Sequence, residues 1–231
     1  MQPRRLDQIL ANYGYCSRSE AKVWVRKGRV TVGDVVAKGA EKKAPPETVL
    51  VDGQPIECLE GILVLMNKPA GYVCSHDTDE GPTIYDLLPA QWLRRNPPVT
   101  TVGRLDKDTT GVLLITDSGD LVHRWTSPKH KVTKIYEVNV NADIPTGTTE
   151  LFAAGTLMLE SEDKPCAPAH LEILSPREAR LELTEGRHHQ VKRMFARQGC
   201  EVTRLHRSRF GEFAVGELQP GQWKLLALPS P

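Results

Sequence analysis

Gly103-Arg104-Leu105-Asp106-Lys107-Asp108-Thr109-Thr110-Gly111 is the stretch that decides the reading of this 231-residue chain. Apolar runs flank it at residues 99–102 and 111–116, and both have the length and β-branched content of strands. A polar loop with two acids, held between strands and bounded by glycines that permit tight turns, is an ordered loop in a cleft. Outward from it, strands are predicted at residues 62–66, 135–140, 171–174 and 179–184, and helices at 83–88, 119–125, 148–154 and 189–198. The last helix puts Val191, Met194 and Phe195 on one face, leaves Lys192 on another, and ends at Gly199. Short helices among many strands make an α+β pattern with a mixed, mainly antiparallel sheet.

The N-terminal residues differ in character. Leu6, Ile9, Leu10 and Tyr13 recur at i, i+3, i+4 and i+7, one apolar stripe on a helix that Gly14 stops. Ser17 and Glu20 have capping-box spacing for a second helix, whose buried stripe is Ala21, Trp24, Val25 and Gly28. On its other face Arg18, Lys22 and Arg26 stand four apart, with Lys27 and Arg29 near the end, so their side chains can converge on a phosphate backbone. A solvated basic face would show the same pattern. Val30 and Val32, the Gly33-Asp34 turn, then Val35 and Val36 have the pattern of a hairpin, and residues 49–53 add a strand and turn. Residues 1–45 hold ten Lys or Arg against four acids, so within a total of +1 this arm carries +6 and the remainder −5. A basic arm on an acidic body predicts a polyanionic partner.

Arg5-Leu6-Asp7, Ser17-Arg18-Ser19-Glu20-Ala21 and Gly28-Arg29-Val30-Thr31-Val32, in that order, resemble the S4-type RNA-binding domain over about residues 4–55. The resemblance implies that the second helix and its neighbouring turn grip structured RNA, with Arg18, Lys22, Arg26 and Arg29 as contacts. Pro45-Pro46 interrupts regular structure, and Cys58-Leu59-Glu60-Gly61 is the expected linker, dividing the chain into an S4-type module, 1–58, and a second domain, 59–231.

Three readings compete for the acids of the central loop. Asp106-x-Asp108-x-Thr110 has the spacing of a haloacid-dehalogenase phosphatase loop, but Gly103-Arg104 interrupts the strand that should lead into it, and no later acidic metal motif follows. The same residues with Gly111 begin like a calcium loop, yet Val112, Leu113 and Leu114 stand where ligands are needed. The third reading draws on the rest of the chain. Gly103-Arg104-Leu105-Asp106-x-x-Thr109-x-Gly111 resembles the signature loop of pseudouridine synthases, in the family that groups the RsuA and RluA types. Asn67-Lys68-Pro69-x-Gly71 resembles that family's early motif, Lys134-x-Tyr136 its tyrosine motif, and Glu185-Gly186-Arg187-x-His189-Gln190-Val191-Lys192-Arg193-Met194 its basic motif. Four elements in order, behind an S4-type module, make a specific combination.

The resemblance implies isomerisation of a uridine in RNA, and the chemistry accounts for the residue types. The N1–C1′ bond breaks, the base turns over, and the base is rejoined through C5 without redox change or net hydrolysis, so no cofactor and no metal are expected. A carboxylate serves as nucleophile or base toward ribose or pyrimidine, the role implied for Asp106, with the atom it attacks left open. The nucleotide must leave folded RNA and be held by stacking, which the resemblance assigns to Tyr136, with proton transfer as a second use. A carboxylate in an apolar pocket tends to stay protonated unless a cation is near, and Lys192 is paired with Asp106 on the family's motif. Arg187 is expected on RNA phosphate or in support of the loop, and Arg104 on phosphate. Singly, Asp106 reads as a turn cap, Tyr136 as a core aromatic and Lys192 as an exposed helix lysine; their order in the motif set favours the chemical roles. His188 and His189 lack a third ligand at metal spacing and are expected on phosphate or the loop.

Gly71-Tyr72-Val73-Cys74-Ser75, lysine at position 192 and Leu205-His206-Arg207 resemble the RsuA type most, although His188 stands where tyrosine is expected. That type implies uridine 516 of 16S ribosomal RNA as the target, in free RNA or an assembling small subunit. A sister enzyme acting on 23S ribosomal RNA and a non-catalytic S4-type assembly factor are the alternatives. Five scattered cysteines, never spaced Cys-x-x-Cys, indicate neither a disulfide framework nor a zinc site. The longest apolar runs, 62–66 and 112–115, are too short to cross a bilayer, and no apolar stretch follows Met1-Gln2-Pro3-Arg4-Arg5; a cytoplasmic monomer without membrane contact is expected.

Overall fold

The computed structural model describes residues 1–229. The chain opens with β1 (Arg4–Arg5) and α1 (Leu6–Asn12), after which Gly14 turns at a φ of +78°. Next, α2 (Arg18–Arg26) starts on the capping box foreseen from sequence: the Ser17 hydroxyl accepts from the Glu20 N–H, and the Glu20 carboxylate accepts from the Ser17 N–H. Then come β2 (Val30–Val32), β3 (Val35–Val36), β4 (Lys43–Ala44), β5 (Val49–Val51) and β6 (Gln54–Pro55). The order β3-β2-β5-β6 makes a small antiparallel sheet, and β1 pairs with β4. Leu6, Ile9, Leu10, Ala21, Val25 and Val30 anchor a core of its own beneath the two helices.

The rest of the chain builds one nine-stranded sheet. Its strands are β7 (Leu63–Lys68), β8 (Thr100–Thr101), β9 (Thr110–Thr116), β10 (Lys134–Val140), β11 (His170–Ser175), β12 (Glu178–Leu183), β13 (Val202–Phe210), β14 (Phe213–Ala214) and β15 (Trp223–Leu225). The main path runs β11-β12-β10-β13-β9-β7-β15, with β8 on β9 and β14 on β13. Every pairing is antiparallel except β13 with β9. The unbroken apolar runs of β7 and β9 reflect burial on both faces: Val64, Met66, Leu113 and Ile115 enter one cluster, while Leu65, Val112 and Leu114 enter another. On the other half of the sheet, Tyr136, Val138 and Val140 alternate inward from β10 and meet α4 (Thr148–Ala154) and α5 (Gln190–Ala196). Phe152 of α4 and Phe195 of α5 pack edge to face, with ring centroids 5.6 Å apart. Between β9 and β10 lies α3 (Gly119–Thr126), capped by Ser118.

Two expectations are corrected. The helix at residues 83–88 is a 3-10 turn, Ile84–Leu87, and the strand at 99–102 shortens to Thr100–Thr101. More consequentially, β13, nine residues long and central in the sheet, has no counterpart in the sequence reading. Its run Thr203-Arg204-Leu205-His206-Arg207-Ser208-Arg209 lacks apolar alternation because the inward position 207 is an arginine, only 3 % exposed.

The expected linker is clamped. Arg95 and Asp117, both almost fully buried, form an ion pair at 2.9 Å, and Arg95 also donates to the Cys58 carbonyl at 3.0 Å and lies over the Tyr13 ring. The Tyr13 hydroxyl donates to Leu59 O, and the Asn96 N–H donates to Asn12 O. Asp117 accepts as well from the Ile62 N–H, so one carboxylate ties the first strand of the large sheet to the clamp. Among the described residues no helix is long and apolar enough to cross a membrane.

The parallel junction between β9 and β13 is tight. Gly111 of β9 faces Arg207 of β13 at a φ of +109°, and a Cβ there would lie 2.2 Å from the Arg207 carbonyl oxygen. Neither the backbone angle nor the space suits a side chain, so Gly111→Ala is expected to destabilise the protein by about 3 kcal/mol. Urea unfolding measures this directly, and a midpoint equal to that of the parent would show that the junction yields without cost.

Candidate active site

The loop between β8 and β9 is held from behind by Lys68, the last residue of β7. Its side chain is fully buried, and its ammonium donates to the carbonyls of Pro69, Lys107 and Thr109 at 3.0, 3.2 and 2.9 Å. Burial pushes the Lys68 amine below its usual value, with the distant charges of Asp108 and Asp106 opposing the fall. The Gly71 N–H donates to the Lys107 carbonyl as well, so the early motif and the central loop are laced together. Nothing in the spacing of Asn67-Lys68-Pro69 announces this role.

The lacing presents Asp106 at a cleft mouth with its side chain 28 % exposed. From α5, Lys192 Nζ lies 3.3 Å from Asp106 Oδ2, but it is closer to Asp108, at 2.6 and 2.9 Å from its two carboxylate oxygens. The two-membered pair foreseen from sequence is thus a cluster in which one lysine serves two carboxylates. Burial raises the Asp108 carboxyl, but the hydrogen bond and charge of Lys192 outweigh it and hold Asp108 below its ordinary range. Burial likewise lowers Lys192, and the bond to Asp108 together with both carboxylate charges outweighs it, leaving the amine raised. His189 approaches from the other side, its Nε2 3.4 Å from Asp106 Oδ1 and its ring stacked on His188 with centroids 3.7 Å apart. It caps α5 in the left-handed region, at a φ of +48°, which turns the chain from the Glu185-Gly186-Arg187 segment into the helix.

Tyr136, 9 % exposed, lines the same cleft as Asp106. That cleft has a volume of about 320 Å³ and carries Arg104, Lys134 and Arg207 on its walls. Arg207 is fixed by two donations to the Val112 carbonyl, at 2.9 and 2.8 Å, and lies over the Phe210 ring. Beside it, His206 Nδ1 and Thr110 Oγ1 are 2.8 Å apart across the parallel junction, giving a structural place to a histidine that sequence left without one. Arg104 is exposed at the cleft mouth. Arg187 lines the cleft, but its guanidinium donates to the Lys164 and Pro165 carbonyls and meets Glu185 and Glu162, so it braces the segment before β11 rather than the central loop.

On α2, Lys22 and Arg26 project freely, whereas Arg18, also exposed, comes within 3.6 Å of buried Asp7. Arg29 departs from the free contact foreseen. It donates from Nε and Nη2 to Asp52 and stacks 3.6 Å from the Trp24 ring centroid, so much of its donor capacity is taken up inside the module.

A carboxylate flanked by a lysine and an imidazole, above a tyrosine in a cation-lined cleft, suits a substrate with a planar ring and an anionic backbone. The RNA pseudouridylate synthase family model matches residues 62–197, which include the central loop, Tyr136 and Lys192. The chain belongs to that family. An S4 domain model matches residues 4–50 of the synthase. Over 227 residues it is 41% identical to the ribosomal small subunit pseudouridine synthase A of Escherichia coli strain K12, spanning 96% of each chain. Identity to the protein of the same name from Pasteurella multocida is 37% over 226 residues, at 96% of each chain. A crystal structure of a pseudouridylate synthase superposes with a TM-score of 0.66 at 35% identity, again with 96% of both chains covered. The protein is an RNA pseudouridine synthase with an α+β fold.

The shared lysine makes the stability of the synthase depend on pH at both ends. Because Asp108 is depressed, its contribution is complete above about pH 3.9 and is lost as pH falls through the lower folded value. Because Lys192 is raised, its contribution is complete below about pH 10.4 and is lost as pH rises through the higher folded value. The stability difference between the parent and Lys192→Met is therefore expected to form a plateau that declines toward both extremes, read by urea unfolding from roughly pH 3 to 11. A difference that stays flat through the acid limb would show that Lys192 and Asp108 are not paired in solution.

Proposed function

We propose that this synthase converts uridine 516 of 16S ribosomal RNA into pseudouridine, with Asp106 as its catalytic carboxylate. The observation that carries the reading is the place of Asp106 where three elements meet: it shares a cleft with Tyr136 of β10, and Lys192 of α5 lies 3.3 Å from its Oδ2. In this reading Asp106 acts as nucleophile or base while the N1–C1′ bond breaks; the C5–C1′ bond then forms, C5 loses its proton and N1 gains one, so the product is an isomer. Lys192 faces the carboxylate as its counter-ion, and Tyr136 stacks on the extruded ring. Arg104 and the α2 cations Arg18, Lys22 and Arg26 bear on phosphate. The small-subunit target draws on the relatives, whose shared name specifies the ribosomal small subunit. We place the division between the modules at residues 58 and 59, and we expect the enzyme to work in the cytoplasm as a monomer, on free 16S RNA or an assembling particle.

Purified protein incubated with a 16S transcript, or with an assembly particle, is expected to form pseudouridine at that uridine, mapped by chemical labelling and primer extension. Asp106→Asn is expected to drop modification below detection while leaving RNA binding intact. Modification in 23S RNA alone would overturn the target, and full activity of Asp106→Asn would overturn the assignment of the carboxylate.

A further inference from the structure

The acidic body of the chain contains acid-free, cationic segments, and one of them lies outside both the catalytic loop and α5. From residue 121 to residue 136 there is no Asp or Glu, while Arg124, Lys129, Lys131 and Lys134 fall within it, with His123 and His130 beside them. The segment comprises most of α3 and the 3-10 turn Pro128–His130. It is seated firmly. Val122 and Trp125 pack into the cluster that holds Phe210, and Trp125 meets Phe213 edge to face at 5.4 Å. His123, Arg124, Lys129, His130 and Lys131 are left on the exposed side.

It is the conjunction of two features that marks these cations. Among the described residues, Arg124, Lys129 and Lys131 make no ion pair and no side-chain hydrogen bond, whereas Arg177 and Arg180, as exposed elsewhere on the same domain, are paired with Asp143 and Glu172. The helix dipole accounts for cations in the last turn of α3, but Lys129 and Lys131 lie beyond the helix, where that effect has faded. The second feature is position. A Cβ on Gly103, the first residue of the central loop, would lie 3.9 Å from Thr126 Cγ2, so the end of α3 abuts that loop. The cleft holding Asp106 and Tyr136 extends to Trp125 and Thr126, with Lys134 and Arg207 along the way. A continuous cationic track therefore leads from the cleft floor to the exposed turn.

We propose that residues 123–131 form a phosphate-binding ridge for the RNA strand flanking the extruded nucleotide, with Arg124, Lys129 and Lys131 as its contacts. The proposal rests on the reading that the cleft takes a nucleotide from folded RNA. It makes this ridge a second RNA surface, beside the catalytic loop and separate in sequence from the S4 domain. Its contacts are with the sugar–phosphate chain and carry no base preference.

The test is a triple variant, Arg124→Gln, Lys129→Gln and Lys131→Gln, which keeps the side-chain stems and breaks no internal bond. Affinity for the 16S transcript is measured against salt in an Asp106→Asn background, so that binding is read without turnover. Loss of three phosphate contacts is expected to flatten the slope of log affinity against log salt by roughly 2 to 3. In the active enzyme, KM is expected to rise about tenfold or more with kcat at saturating RNA unchanged. The charge-keeping variant Arg124→Lys, Lys129→Arg, Lys131→Arg should restore both. An unchanged slope and KM in the triple variant would overturn the ridge, as would a fall in kcat alone. Absence of pseudouridine in any ribosomal RNA treated with the parent would instead overturn the functional reading, and the salt slope distinguishes the two failures.

Discussion

The close approach of β9 and β13 is the constraint on which the rest of this structure depends. Two antiparallel halves meet there in one short parallel pairing, and the meeting is possible because position 111 has no side chain. Arg207 bonds from β13 to the Val112 carbonyl, and His206 meets Thr110, so the junction is fastened by side chains as well as by its ladder. The central loop enters β9 at this seam. Its position relative to Tyr136 on β10 is therefore set by sheet pairing, which is stiffer than any loop contact. A site placed at a change of strand direction gains a crevice without having to hollow out a core.

Onto that frame the chain adds a layered charge arrangement. Lys68 sits below the loop with its charge satisfied by carbonyl dipoles, Asp106 and Asp108 lie at the surface of the loop, and Lys192 meets both from α5. Sharing one cation between two carboxylates leaves Asp106 with the longer contact. Asp108 thus anchors Lys192 while Asp106 keeps one oxygen toward His189 and the cleft.

Much of this was legible in the sequence, for identifiable reasons. The strands of the doubly buried centre showed as continuous apolar runs, and α1 and α2 showed as stripes bounded by Gly14 and a capping box. The central loop stood out because two acids between apolar strands need a reason. Other features were hidden because their signal is three-dimensional. β13 carries a buried arginine where alternation would place an apolar residue, so its pattern resembles a loop. Spacing alone does not say which of two carboxylates two residues apart will face a lysine 84 positions away. Arg29 looked like a free cation because its partner, Asp52, lies on a distant turn. The roles of Lys68 and Arg187 depend on backbone carbonyls, which every residue has and no composition reveals.

The clamp around Arg95 has a consequence for selection among uridines. Arg95 of the catalytic domain, fixed by its buried pair with Asp117, bonds the Cys58 carbonyl and lies over the Tyr13 ring, so the segment between the two modules is fastened rather than left as a slack tether. A flexible tether would let the enzyme sample any uridine within its radius. A fastened span would favour nucleotides that a folded RNA holds at the matching distance and angle, adding architecture in the RNA to the letters around the target as a basis for discrimination.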